Sequence, residues 1–240
     1  MPVKVFGMTD FESSIKAFWD AQAKKAEKLK PEAISNLEED PILIEKKILI
    51  ETKKVFSYAN LSSDSLVLDL GSGTGQWAFR FANIVKHVTA VEFSSPMLNI
   101  AEKLAIQKNI KNVSFHSGKA QTFNPKSSFD LVFISGLLIY LTDNQISELL
   151  KNVYGYLKLG GRVILRDGTA LNERYEIHNK YSDELDANYT AFYRTTNEYI
   201  AVFKSHGLDV LKHEDMFEAG SELNKRIETR LRIYEFKKTF

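Results

Sequence analysis

The sequence contains no cysteine among its 240 residues. This absence excludes disulfide bonds, thiolate zinc sites, cysteine nucleophiles and cysteine-held iron–sulfur clusters. It also means that the fold has no need of an oxidising compartment. The remaining composition, with 44% hydrophobic and 26% charged residues, is that of an ordinary globular protein.

A charge excess and a long apolar run are missing as well. Lys and Arg number 32 against 31 Asp and Glu, whereas nucleic-acid-binding domains usually carry a basic excess. The longest mostly apolar stretch, 131–141, is far shorter than the roughly 20 residues that cross a bilayer, and the first residues lack the pattern of a signal peptide. We therefore expect a cytoplasmic protein without a membrane or nucleic-acid partner. No two of its five histidines have a metal-ligand spacing on an expected helix, so no metal site is expected.

The hydrophobic pattern changes along the chain. Helical spacing predicts helices over 11–30 and 41–58, which would form an N-terminal lid over residues 1–60. From Ser65 onwards, short β-branched runs alternate with amphipathic stretches. The strands are expected at 66–70, 87–92, 112–116, 129–134 and 161–166, and the helices at 75–83, 96–108 and 143–157. This alternation predicts an α/β domain over 61–240 with a mostly parallel sheet, which binds ligands at the carboxyl ends of its strands.

The last quarter has a different pattern. Residues 172–193 are polar, tyrosine-rich and weakly periodic, and we expect a substrate-side insertion at about 168–195. A helix over 196–206 should end at Gly207. Two strands then follow, over 208–217 and 227–237, and favour an antiparallel addition to the sheet edge.

A glycine loop is the most informative segment. The apolar strand that ends near Asp69 runs into Gly71, Gly73 and Gly75, which let the backbone turn sharply and let a ligand approach closely. A carboxylate at Asp69 suits a ligand ammonium. Glu92 ends the next strand, 19 residues after Gly73, where a carboxylate can accept both hydroxyls of a ribose.

Three other interpretations of this glycine loop are a phosphate-binding loop, a dinucleotide-binding loop and a turn without a ligand. A phosphate-binding P-loop requires Gly-Lys-Ser/Thr, which is absent. The dinucleotide fingerprint matches Gly73-Thr-Gly75-Gln-Trp-Ala78, but Gly71 already occupies the place of its first glycine. A turn without a ligand does not account for the spaced acids.

The combined motifs resemble the class I S-adenosylmethionine (SAM)-dependent methyltransferases over residues 64–167. Besides the glycine loop, the similar segments are 89–97, 129–134 and 157–164. The resemblance implies a doubly wound, mostly parallel seven-stranded sheet of order 3-2-1-4-5-7-6 with the last strand antiparallel. It also implies SAM as cofactor and S-adenosylhomocysteine (SAH) as product.

The same resemblance assigns the cofactor site. The implied cofactor-binding residues are Asp69, Gly71, Ser72, Gly73, Glu92, Phe93, Met97, Lys119, Ala120, Gln121 and Ser135. Where the family often has an aspartate that bonds the adenine amino group, this chain has Lys119, whose side chain cannot accept that bond. Gln121, or the backbone of Lys119 and Ala120, would replace it.

Residues beyond the fourth and fifth strands should serve the acceptor. The candidate catalytic residues are Arg166, Asp167, Tyr140 and His178, of which His178 is placed where it could act as a base. Arginine forks and tyrosine hydroxyls suit a phosphate or carboxylate. The candidate substrate-binding residues are Trp19, Arg174, Tyr175, Tyr181, Tyr193 and Arg194.

These features favour in-line methyl transfer to an oxygen or nitrogen of a small anionic metabolite. Such an acceptor is a nucleotide-activated sugar or a phosphate-bearing precursor of a surface polysaccharide or secondary metabolite. A tRNA cytidine methyltransferase, with Asn224-Lys-Arg226 near the RNA, and a non-catalytic SAM-fold partner subunit remain alternatives. The sequence does not indicate an oligomeric state.

Overall fold

Strands and helices alternate through the middle of the chain and build one large sheet. The computed structural model describes residues 8–26, 40–182 and 187–238. The helices are α1 (Met8–Ala26), α2 (Pro41–Ala59), α3 (Gln76–Ala82), α4 (Ser95–Gln107), α5 (Asp143–Tyr156) and α6 (Thr196–Ser205). The strands are β1 (Leu66–Leu70), β2 (His87–Glu92), β3 (Val113–Ser117), β4 (Phe129–Ser135), β5 (Leu157–Ala170), β6 (Tyr175–Ser182), β7 (Ala187–Tyr193), β8 (Leu208–Asp215) and β9 (Thr229–Lys238).

The large sheet has seven strands in the order β3-β2-β1-β4-β5-β9-β8. Neighbours among β1 to β5 pair in parallel, and β9 pairs antiparallel with both β5 and β8. The predicted order and its antiparallel last strand are therefore confirmed. The chain order reverses between β1 and β4, so the crevice for a ligand opens at the carboxyl ends of these two strands.

Local sequence signals explain where several helices begin. Thr142 and Gln145 form a capping box at the start of α5, and Thr195 and Glu198 form another at α6. β5 continues beyond the predicted end at residue 166, because its last residues pair with β9 as far as Ala170 opposite Thr229. The end of the strand is therefore determined by a partner some 60 residues away in sequence.

Helices cover both faces of the sheet. On one face Leu149 of α5 and Phe203 of α6 pack with strand residues of the core. On the other face Val55 of α2 packs with Phe81 of α3 and with further strand residues. Residues 41–59 therefore belong to the same packed unit as the sheet, which differs from the lid expected over 1–60.

Helix α1 lies at the ligand edge instead. Ala23 packs with Met97 and Ile100 of α4, and Phe18 packs with residues of β7. The predicted first helix extended to Lys30, and its last four residues lie outside the described part of the chain.

The tyrosine-rich segment forms a two-stranded antiparallel sheet of β6 and β7, which the sequence did not predict. A register shift between Ile177 and Lys180 breaks the alternation of β6, so the period-two signal is lost. Tyr189 and Tyr193 of β7 are buried and pack near Ile139. No helix in the described parts of the chain is both long enough and apolar enough to cross a membrane.

Gly168 provides a test of how this hairpin packs on β5. A Cβ added there would lie 2.6 Å from Cε1 of Tyr193. We expect Gly168→Ala to lower the free energy of unfolding by about 1–3 kcal/mol, because overpacking forces the ring to move. Gly155→Ala in α5 meets nothing within 4 Å and is the control; it should leave stability unchanged or raise it by up to about 1 kcal/mol. Urea unfolding of both variants measures the difference, and equal stabilities would contradict the packing described.

Candidate active site

The glycine loop connects β1 to α3 through three residues with positive φ. Gly71, Gly73 and Gly75 have φ angles of 76°, 54° and 81°, a region in which other residues are strained. The backbone N–H of Gly71 donates to the carbonyl of Val91 over 2.9 Å, which fixes the loop against β2. A Cβ on Gly75 would lie 2.8 Å from the Phe79 ring, so this glycine is also required for space.

Asp69 is a buried carboxylate with an unsatisfied oxygen. Its side chain accepts a hydrogen bond from the backbone of Ala78, whereas its Oδ2 is buried and bonds to no described residue. Burial raises the pKa of this carboxyl to about 7, with the nearby charge of Glu92 as the second cause. A buried acceptor without a donor indicates that the site is built for a cationic or hydrogen-bonding ligand.

Glu92 is buried beside it and holds the loop. Its Oε2 accepts from the backbone N–H of Gly73 over 2.8 Å, and its Oε1 accepts from that of Ser94 over 2.7 Å. Burial raises the pKa of Glu92, while these backbone bonds oppose the rise. Each carboxylate oxygen can accept a second bond, so two donors of a ligand can still be bound.

These acids line a cavity of about 400 Å³, which is within the range of small-molecule sites. On one side, here called the cofactor side, its walls are the glycine loop, the end of β2, residues 118–121 and α1. On the other, here called the acceptor side, the walls are α2, α3, the ends of β4 and β5, β7 and the β8–β9 connection.

Helix α1 is fastened across the cofactor side by polar contacts. Glu12 accepts from Nζ of Lys119 over 2.5 Å and from Nε2 of Gln145 over 2.7 Å. Asp20 accepts from the hydroxyl of Ser94 over 2.6 Å. These contacts link α1 to the segment after β3, to α5 and to the loop after β2, so α1 covers the cavity from the open edge of the sheet.

Arg166 is held at the acceptor side by two partners. Its guanidinium pairs with Glu51 of α2 over 2.6 Å and donates to the hydroxyl of Ser135 over 3.0 Å. The Arg166 guanidinium also lies 5.9 Å from the centre of the Trp77 ring. The Arg80 guanidinium lies 4.7 Å from the centre of the same ring. Glu51 is buried and was not identified from the sequence.

Asp167 is completely buried at the end of β5. Its oxygens accept the backbone N–H groups of Leu138 and Gly168 over 2.8 and 2.9 Å. Burial raises the pKa of this carboxyl to about 7, against the effect of the backbone bonds. The residue therefore organises the turn after β4 and also contributes a titratable group to the cavity wall.

Comparisons with known proteins agree with this geometry. Residues 67–161 match a family model described as a methyltransferase domain. A phosphoethanolamine N-methyltransferase of Triticum aestivum is 30% identical over 149 residues, which cover 60% of this chain but only 27% of the relative. The chain thus spans about a quarter of that relative's length.

Solved structures share the fold over almost the whole chain. A Burkholderia thailandensis 1,6-didemethyltoxoflavin-N1-methyltransferase, with its substrate and SAH bound, has a TM-score of 0.73 and 13% identity, covering 100% of this chain and 94% of that one. A Haemonchus contortus phosphoethanolamine N-methyltransferase 1, with phosphoethanolamine and SAH, has a TM-score of 0.72 and 20% identity, covering 97% and 50%. Residues 67–161 are therefore a methyltransferase domain, and the chain has the fold of the class I SAM-dependent methyltransferases. SAM is the cofactor of this family.

The cofactor side fits SAM on the residues present. The unsatisfied oxygen of Asp69 suits the ammonium of the methionine part, and Glu92 retains acceptors for the ribose hydroxyls. The hydroxyl of Ser72 is likewise buried without a partner among the described residues. All eleven residues that the sequence assigned to the cofactor lie on the wall of the cavity; their individual contacts with SAM remain predictions.

The adenine end differs from the family pattern in a defined way. The side chain of Lys119 is paired with Glu12 of α1, so it links the segment after β3 to this helix. Gln121 is buried and lines the cavity. The Gln121 side chain and the backbone of residues 119–120 could each bind the adenine amino group in place of the usual aspartate.

Five of the acceptor-side candidates lie on the cavity wall. They are Trp19, Tyr140, Arg166, Asp167 and Tyr193. Tyr140 is half-buried and packs edge-on against Trp19, with ring centres 5.3 Å apart. The roles of these residues in catalysis and acceptor binding remain predictions.

Five other candidates lie outside the cavity wall. His178 is 65% exposed on β6 and pairs with Glu176, so it does not sit where a base would act. Tyr181 is exposed, and Tyr175 packs on the outer side of the Tyr193 ring cluster without lining the cavity. The structure therefore places these three residues on β6 and away from the cavity wall, and their roles remain predictions.

The two arginines of this segment have structural partners instead. Arg174 pairs with Asp143 over 2.9 Å. Arg194 is buried, donates to the carbonyls of Leu138 and Leu141 and also pairs with Asp143. Both arginines therefore contact Asp143 at the start of α5, and neither lines the cavity; a role in substrate binding remains a prediction.

The β8–β9 connection was not assigned to the site from the sequence. It nevertheless contributes Leu223, Asn224, Lys225 and Arg226 to the cavity wall, and Arg230 follows them on β9. The sequence signal in this segment is the Asn224-Lys-Arg226 run, which is also the feature that favours the tRNA alternative.

Removing either buried acid tests the cofactor side. We expect Asp69→Ala or Glu92→Ala to weaken SAH binding at least about tenfold, since charge-assisted hydrogen bonds contribute roughly 1.5–3 kcal/mol. Glu176→Gln, a carboxylate on β6 away from the cavity, is the control and should bind as the unchanged protein does. Titration calorimetry measures all three, and unchanged affinity in both cavity variants would refute the assignment.

The raised pKa of Asp69 predicts a pH dependence of binding. Burial favours the neutral acid below about pH 7, and a ligand ammonium favours the ionised form. SAH affinity should therefore rise between about pH 6 and pH 8, as the carboxyl loses its proton. The rise should be smaller in Asp69→Asn, which cannot ionise. An equal slope in both proteins would assign the titration to another group.

Proposed function

We propose that this protein transfers a methyl group from SAM to a small, anionic, phosphate-bearing acceptor. The observation that carries the proposal is the division of charge along one cavity. The cofactor side carries the buried acids Asp69 and Glu92. The acceptor side carries the cations Lys47, Arg80, Arg166, Lys225, Arg226 and Arg230.

The acids on the acceptor side are already engaged. Glu51 is paired with Arg166, and Asp167 accepts two backbone N–H groups. Six cationic side chains and two acids thus line the acceptor side, and this excess of positive charge favours an anionic acceptor there. The phosphoethanolamine N-methyltransferases among the similar proteins act on a phosphate-bearing molecule, as their name states.

The residues of this chain would act mainly by positioning and by excluding water. Bound SAM supplies a methyl group on a sulfonium that is attacked in line. The Asp69 carboxylate and Glu92 would orient the cofactor, α1 and Trp19 would close the site, and Arg166 would hold the acceptor. Asp167, with its pKa near neutrality, is the nearest candidate to take a proton if the acceptor loses one.

Transfer of labelled methyl from SAM tests the proposal. Two acceptor pools are offered: a deproteinised small-molecule extract and purified tRNA, with SAH binding measured first on the same sample. We expect label in the small-molecule pool, from which mass spectrometry identifies the product. Label in tRNA alone would show that the acceptor is tRNA and not a small molecule. Absence of SAH binding would favour a non-catalytic partner subunit.

A further inference from the structure

The acceptor side contains a cluster of aromatic hydroxyls around one arginine. Tyr189 and Tyr193 are buried on β7, and Arg226 reaches them from the β8–β9 connection. The Arg226 guanidinium lies 5.6 Å from the centre of the Tyr189 ring and 5.9 Å from that of Tyr193. Two segments more than 30 residues apart in sequence thus meet at this point of the cavity wall.

The position of Arg226 is fixed by its backbone as well as by its side chain. Nη1 of Arg230 donates to the carbonyl of Arg226 over 2.6 Å and to that of Thr229 over 2.9 Å. The two tyrosine rings and the contact with Arg230 together hold Arg226 at the cavity wall. An arginine held in this way is suited to a phosphate, which accepts several bonds from a guanidinium fork.

The charged groups around this cluster would determine how a bound acceptor is oriented. Tyr140 and Asp167 lie close enough to interact electrostatically with Tyr193, and the positive charge of Arg226 acts on Tyr140 and Tyr193. Asp167 carries the negative charge of the cluster and Arg226 the positive one. A phosphate is therefore drawn to Arg226 and repelled by Asp167.

We propose that Arg226, with Tyr189 and Tyr193, binds the phosphate of the acceptor and so turns the group to be methylated towards Asp167 and Tyr140. The inference rests on the proposed function and names the recognition site within it. It makes the β8–β9 connection a determinant of acceptor choice.

Arg226→Gln is the variant that tests this site. Arg232→Gln is its matched control, because Arg232 lies 5.9 Å from the Tyr234 ring but does not line the cavity. With a dilute extract as acceptor, we expect Arg226→Gln to lower methyl transfer at least about tenfold, and a concentrated extract to restore part of the rate. SAH affinity should be unchanged in both variants. Equal rates in Arg226→Gln and Arg232→Gln would overturn the proposal.

Enzymatic treatment of the extract tests the chemistry of the acceptor. An extract pre-treated with alkaline phosphatase and a nucleotide pyrophosphatase, then freed of both enzymes, should accept at most about a tenth of the label. An extract treated with heat-inactivated enzymes should accept the full amount. Undiminished labelling after treatment would refute phosphate recognition while leaving methyl transfer to a small molecule intact.

A binding measurement separates this inference from the reaction itself. Inorganic phosphate is titrated into the SAH-saturated protein and followed by the width of its phosphorus NMR signal. We expect broadening with the unchanged protein and with Arg232→Gln, and its loss with Arg226→Gln. That pattern supports the phosphate site even if no methyl transfer is found. Missing methyl transfer would then count against the proposed function alone. No broadening with any protein, or equal broadening with all, would overturn the inference.

Discussion

Two carboxylates buried side by side constrain the whole cofactor side. Asp69 and Glu92 lie at the ends of neighbouring parallel strands, and each raises the cost of ionising the other in a site with little water. The backbone N–H groups of Gly73 and Ser94 stabilise Glu92, whereas Asp69 keeps one oxygen without a donor. A ligand cation beside the free oxygen of Asp69 would therefore favour the state in which both carboxyls are ionised.

The fold meets this constraint with few elements. Parallel pairing of β1 and β2 places the two acids at one edge, and the glycine loop brings its N–H groups between them. Helix α1 then covers the same edge through Asp20 and Glu12. Exclusion of water and attraction of the cofactor are thus produced by the same small set of contacts, because burial strengthens each electrostatic interaction.

The sequence predicted those parts of the molecule that depend on local patterns. β1, β2 and β4 are apolar runs, and the motif at Asp69 is contiguous. These short segments carry the family resemblance, which implied the strand order and the cofactor residues. The hairpin escaped because a register shift at Ile177 hides its alternation. The contacts of Arg174 and Arg194 with Asp143 could not be predicted, because Asp143 is 31 and 51 residues away in sequence. The Asn224-Lys-Arg226 run did not indicate that Arg226 lies beside Tyr189, since only the three-dimensional fold brings the two residues together.

The division of charge within one cavity follows from the chemistry that such a site must serve. The sulfonium of SAM loses its positive charge as the methyl group leaves, so an acid directly beside the sulfonium would stabilise the starting state more than the transition state. Asp69 and Glu92 instead lie beneath the glycine loop, where they suit the ammonium and the ribose, groups that do not change during transfer. The arginines stand on the far wall and would hold the acceptor by a group that likewise does not react. Both sets of charges can then bind strongly and act by alignment, which is the contribution that an in-line displacement needs from a protein.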